Sequence, residues 1–161
     1  MTEHSFTTTL SVEATPDGAY AAINDVRGWW SQDVDGRTDT VGAVFAFRGN
    51  LDGRNVHRAQ IEVAELVPGE RVVWHVVDNW MGFIQDQSEW KDTRIVFDIS
   101  PTAAGAQIGF THVGLVPAYE CYDVCFNAWT FFIQDSLRAL IATGHGQPIE
   151  RLSTTVREES A

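Results

Sequence analysis

The chain has 161 residues, enough for one domain with a substantial core, and its 44% apolar and 11% aromatic content marks it as globular. Its formal charge of −11, with Lys91 the single lysine against ten arginines, repels phosphate backbones and anionic headgroups, so neither nucleic acid nor a membrane surface is expected as a partner. No apolar run reaches the roughly 18 residues of a membrane span and no basic-then-apolar leader opens the chain, so a cytoplasmic protein is expected.

Phe6, Thr8, Leu10 and Val12 alternate with Thr7, Thr9, Ser11 and Glu13, the pattern of a half-buried strand. Thr15-Pro16-Asp17 supplies a cap, a proline for the first helical position and a first-turn acid. A helix over about residues 16–26 follows, with Gly28 as its stop and Trp29 and Trp30 in a short turn beyond it. From Gly42 the period becomes that of strands. Residues 43–48 put Phe45 and Phe47 on one face, and Leu51-Asp52-Gly53-Arg54 is a hairpin turn. Val56 to Val67 is a longer strand that Pro68-Gly69 stops. Residues 71–78 form another, with Val72, Trp74 and Val76 on one side and Val73, His75 and Val77 on the other.

Residues 79–92 follow neither period and carry Trp80, Met81, Phe83 and Ile84. A connection of that length is either a lid or binding loop, or a strand end folded onto the core. Thr93 to Ser100 and Ala106 to Val113 complete the strands. After Pro117 a long helix begins near Tyr119 or Glu120. Its apolar stripe runs through Tyr122, Cys125/Phe126, Trp129, Phe132/Ile133, Leu137 and Leu140/Ile141, and Gly144 and Pro148 are its stop signals. At about 24 residues it would be about 36 Å long, enough to cross a small sheet. The polar stretch from Gln147 to Ala161 reads as loose. The fold class is α+β: an antiparallel meander wrapped around its C-terminal helix.

Chemistry is sparse. The five histidines share no ligand spacing, so no metal is expected, and no motif implies a cofactor. No nucleophile elbow or phosphate-binding loop is present, and no catalytic residue is assigned. Cys121 and Cys125 lie four apart on one helix, where side chains run along the axis and suit a disulfide poorly, so both read as reduced packing residues. His112 shares a face with Ile108 and Phe110. It is either a polar anchor in an apolar cavity or a core histidine with its partners satisfied. Glu89, Tyr122 and Asp123 are further polar groups that could reach such a cavity. Six Trp and nine Phe exceed what a small core needs, which fits a lined pocket or crowded packing.

The element order, with Thr93-Arg-Ile-Val-Phe97, Phe110-Thr-His-Val-Gly114 and the cysteine-bearing helix that ends Thr143-Gly-His-Gly-Gln-Pro148, resembles the activator of heat-shock protein 90 ATPase homologue family. That family belongs to the START-like (SRPBCC) superfamily with the helix-grip, Bet v 1-like fold. The resemblance covers about residues 5–148, and one domain over 1–148 with a tail over 149–161 is expected. The family usually has Gly-Trp in mid-helix where this chain has Ala128-Trp129. The co-chaperones that name the family carry a separate N-terminal domain that engages the chaperone. This chain starts at its first strand, so the fold transfers more readily than a chaperone partner does. The resemblance implies a cavity between helix and sheet that takes a small hydrophobic, aromatic or lipid-like molecule. Trp30, Phe45, Phe47, Trp74, Trp80, Phe83, Phe110, His112, Tyr122, Trp129 and Phe132 are the expected ligand-binding residues, with residues 79–92 gating entry. A co-chaperone-like interaction domain is the second reading, and a cyclase-like enzyme using the same cavity the third.

Overall fold

The computed structural model describes residues 5–151. Seven strands form one antiparallel sheet in the order β1-β7-β6-β5-β4-β3-β2: β1 Phe6–Val12, β2 Val34–Asp35, β3 Val44–Leu51, β4 Arg54–Val67, β5 Arg71–Met81, β6 Arg94–Pro101 and β7 Ala106–Val113. Two short helices, α1 (Pro16–Asn24) and α2 (Val26–Trp29), carry the chain from one edge of the sheet to the other. The long C-terminal helix is built from α3 (Tyr122–Phe131), a π-helical segment (Phe132–Leu137) and α4 (Arg138–Thr143). This is the helix-grip arrangement: a curved sheet closed over one long helix.

Local chemistry accounts for the boundaries. Gly18 N donates to Thr15 Oγ1 and Pro16 opens α1, so the cap read from the sequence forms. Asp52 (φ 53°) and Gly53 (φ 76°) both adopt the left-handed conformation that a two-residue hairpin turn between β3 and β4 requires. Gly144, at φ 86°, ends α4 in the same region. The inward faces of the strands pack Leu10, Phe45, Ile61, Val76, Phe97 and Phe110, all 0% exposed, beneath Trp129, Ile133 and Leu137 of the helix.

Three sequence expectations are corrected, and one left open is decided. The helix starts at Tyr122, not 119 or 120, because turns at Tyr119 and Cys121 precede it, and it widens into a π-helical segment where a uniform α-helix was expected. Of the two readings of 79–92, the strand end holds for its first residues, since Asn79, Trp80 and Met81 extend β5 by pairing with Ala59, Arg58 and His57 of β4. The short strand β2 was not expected at all. Residues 147–151, expected to be loose, are held. Ile149 exchanges backbone hydrogen bonds with Trp30 and Gln32, Gln147 N donates to Ser136 Oγ, and Asn50 Nδ2 donates to Glu150 O. The rest of that stretch, 152–161, lies outside the described residues.

Candidate functional site

The space under the long helix has a filled end and a hollow end. At the filled end Trp29, Trp74, Phe97, Phe45 and Phe110 are sealed, with Trp29 and Trp74 nearly parallel (10°) at 6.3 Å and Phe97 edge-on to both. Trp29 Nε1 donates to Ile23 O and Ser136 Oγ to Trp29 O, tying α2 to the helix. Stacking and edge contacts of this kind hold a core rigid and leave no room for a guest.

His112 belongs to that core. It is 0% exposed, and both ring nitrogens are used. Trp129 Nε1 donates to Nδ1 at 3.1 Å, Nε2 donates to Thr93 Oγ1 at 2.8 Å, and Thr93 Oγ1 donates to Trp90 O. Each donor faces one acceptor, so the ring is neutral with its proton on Nε2. Burial, with a contribution from His57, pushes its pKa down to about 3. Of the two readings of His112 the satisfied core histidine holds, and its place among the expected ligand-binding residues is corrected: neither ring nitrogen is left for a ligand.

The hollow end lies under the β3–β4 hairpin. There a cleft of about 230 Å³ is walled by Trp30, Phe47, Trp90 and Trp129, with Met81, Cys125 and Ala128 beside them. Leu51, Phe83 and Val124 rim its mouth and are exposed, together with the half-buried Phe132. Gly49 lines it without a side chain, and a Cβ there would stand 3.2 Å from the Cβ of His57 and 3.3 Å from Phe47 Cζ. Strand pairing passes from Gly49↔His57 to Asn50↔Asn55, leaving Val56 unpaired in a bulge. The bulge turns two successive residues, Val56 and His57, toward one cleft.

The expected site residues thus divide. Trp30, Phe47, Phe83, Trp129 and Phe132 do line the cleft. Phe45, Trp74 and Phe110 are sealed in the filled end. Tyr122 is half-buried against Phe126 and is not part of the wall. Trp80 points to the opposite face of the sheet, where Arg58 sits 4.4 Å above its ring, because the bulge that leaves Val77 unpaired resets the alternation of β5. Sequence reasoning missed Gly49, Val56, His57, Met81, Trp90, Cys125, Ala128 and Ile149. His57 was legible, since it stands two residues before Ala59 and four before Ile61 on the buried face of β4. Trp90 and Ile149 were not, because neither belongs to a periodic element.

Beyond the end of β5, the rest of the expected 79–92 gate is tied down as a plug that carries Phe83 and Trp90 to the cleft. Met81 N donates to Gln87 Oε1, while Gln87 Nε2 donates to Met81 O and Ile84 O. Glu89, 6% exposed, accepts from Glu120 N and Cys121 N at the start of the helix, and Glu120 Oε1 in return accepts from Gln85 N and Asp86 N. A carboxylate on a helix N-terminus meets unpaired N–H groups and the positive end of the helix dipole. The exchange fixes Trp90, which stacks on Trp129 at 5.8 Å and 9°.

The thiols of Cys121 and Cys125 are free and buried, and a hydrogen bond between them together with burial pushes the Cys121 pKa far up, so it is not a nucleophile. Among the described residues no group of His, Cys, Asp and Glu converges as a metal site, and no helix is long and apolar enough to cross a membrane.

Solved structures share this architecture. A solution structure of an Aha1 dimer from Colwellia psychrerythraea superposes with a TM-score of 0.68 at 22% identity, covering 89% of this chain and 99% of that one. A protein from Chromobacterium violaceum gives 0.62 at 20% identity, over 85% and 96% of the two chains. One from Bacillus halodurans gives 0.63 at 11% identity, over 88% and 99%. At such identities the likeness is one of fold. No protein of curated function matches the chain in sequence. The model of the Activator of Hsp90 ATPase homolog 1-like protein family matches residues 13–142, and the chain belongs to that family.

Proposed function

We propose that the protein binds a small, uncharged, flat aromatic molecule in the cleft beneath the β3–β4 hairpin. Family and fold indicate a ligand-binding or interaction domain in general. The observation that carries the finer reading is the asymmetry under the helix: apolar space of about 230 Å³ with aromatic walls at one end, dense packing at the other. A cavity of about 150 Å³ accepts benzene, so this one has room for one or two rings. Pockets of this kind take most of their affinity from apolar burial and their orientation from very few polar groups. The formal charge of −11 disfavours anionic guests.

The exposed apolar rim of Leu51, Phe83 and Val124 favours a second reading, a protein-interaction site with the chaperone partner that the family name suggests.

The test is native mass spectrometry and thermal shift of the wild type against a panel of one- and two-ring aromatics, with Ala128→Leu as control. Leucine at 128 adds three carbons to the cleft wall. The expected result is stabilisation of the wild type by one chemical class and at least a ~10-fold weaker response in Ala128→Leu. Equal responses from both proteins would mean that the guest sits elsewhere. No response from either, with retention of a chaperone by the exposed rim, would favour the second reading.

A further inference from the structure

The cleft is apolar, yet its wall includes a histidine with one ring nitrogen unbonded among the described residues. His57 is half-buried and lines the cleft, held edge-on between Phe47 (5.1 Å) and Trp90 (4.8 Å). Its Nε2 stands 2.6 Å from Asn79 Oδ1. An amide oxygen only accepts, so Nε2 carries the proton and Nδ1 presents a bare lone pair. Nδ1 makes no hydrogen bond among the described residues. Nor is it sealed away: among the described residues the buried side-chain atoms without a partner are Asn24 Oδ1, Trp74 Nε1, Asn79 Nδ2 and Trp90 Nε1.

Most other polar atoms around the cleft are taken or hidden. Trp129 Nε1 is spent on His112. Asn50 Nδ2 donates to Asp33 Oδ2 and Glu150 O, and Asn50 Oδ1 accepts from Asn55. Trp90 Nε1 is buried with no open surface to offer. Elimination leaves His57 Nδ1 as the open acceptor; the one indole N–H of the wall that is neither taken nor hidden is that of Trp30.

Resting on the proposed function, we infer that His57 Nδ1 is the group that reads the guest, and that the guest is a flat one- or two-ring aromatic carrying a single hydroxyl or N–H donor. Burial supports this by pushing the His57 pKa down to about 4, which keeps the ring a neutral acceptor near pH 7. A carboxylate or phenolate would set negative charge against that lone pair. A guest with acceptors only would face it unpaired. A plain hydrocarbon fits but gains no bond. A neutral hydrogen bond is worth roughly 1 kcal/mol net, so a donor should tighten binding by about fivefold over the same ring without it.

The experiment titrates 2-naphthol, naphthalene and quinoline into wild type, His57→Phe and Asn79→Leu, read by tryptophan fluorescence. The His57 tautomer is read in parallel from imidazole nitrogen shifts by NMR. In the wild type 2-naphthol is expected to bind about fivefold tighter than naphthalene, and tighter than quinoline. His57→Phe should erase the preference for 2-naphthol over naphthalene, whatever its effect on the affinity for either. Asn79→Leu frees the tautomer and should narrow the gap between naphthol and quinoline, which keeps the idea testable if His57→Phe fails to fold. Equal wild-type binding of naphthol and naphthalene, or a proton found on Nδ1, overturns the role of His57 and leaves the cleft reading standing. Absence of all binding overturns both.

Discussion

His112 and His57 are two histidines on the inward face of one sheet, separated by the ring of Trp90, and they have opposite fates. Trp90 stands edge-on to both, at 4.6 Å from His112 and 4.8 Å from His57. His112 lies on β7 at the filled end, where Trp129 and Thr93 occupy both nitrogens. His57 lies on β4 beside a bulge, where Asn79 is the one hydrogen-bond partner of its ring among the described residues. The same residue type is a structural pin in one place and an accessible polar group of a cleft in the other. What differs is the number of partners within reach, which the neighbouring strands and the helix decide.

The largest test of this contrast is truncation. Trp74→Ala, at 0% exposure in the filled end, should cost about 3–5 kcal/mol in urea unfolding, while Phe83→Ala at the exposed mouth should change stability by less than about 0.5 kcal/mol. Comparable losses at both positions would erase the distinction between the two ends.

Acid should act next, through His57, whose burial lowers its pKa to about 4, and further through His112. Its folded-state pKa, about 3, lies below the 6.5 of the free side chain, so the folded protein holds fewer protons than the unfolded chain across that window. The stability linked to this group is complete above about pH 6.5 and is lost as pH falls toward 3, roughly 3 kcal/mol of it by pH 4. His112→Gln should start less stable at neutral pH and show a flatter decline. A variant with the wild-type acid slope would assign that slope to other groups.

The carboxylate exchange between the 82–93 plug and the helix is expected to carry less. Glu89→Ala leaves Glu120 N and Cys121 N without their acceptor, and should cost about 1–2 kcal/mol with faster hydrogen exchange at both amides. Because Trp90 rides on the same plug, guest binding should weaken as well. Unchanged exchange would mean that solvent or a neighbour replaces the carboxylate at no cost.

Legibility followed periodicity. The alternation Ala106 to Val113 predicted β7 to the residue, and Thr15-Pro16 predicted the start of α1, because a two-residue period and a cap are local properties that need no tertiary partner. The family resemblance, carried by the C-terminal third, then gave the helix-grip fold. For the cleft, strand alternation and helix stripe identified Phe47 and Trp129 but could not separate them from Phe45 and Phe110, which show the same pattern and are core. Facing inward is a property of the strand. Facing empty space depends on what the opposite element fails to fill.

The sequence by itself therefore determined six of the seven strands, the N-cap of α1, the hairpin turn and the inward face of most elements, since these depend on backbone preferences and on neighbours one to four residues away. Only the tertiary structure decided that His112 is silent, that Trp80 faces the far side, and that Trp90 and Ile149 close a cleft around His57. Those outcomes turn on bulges that reset alternation and on contacts between residues as distant as Trp30 and Ile149, where no local period records which partner will arrive.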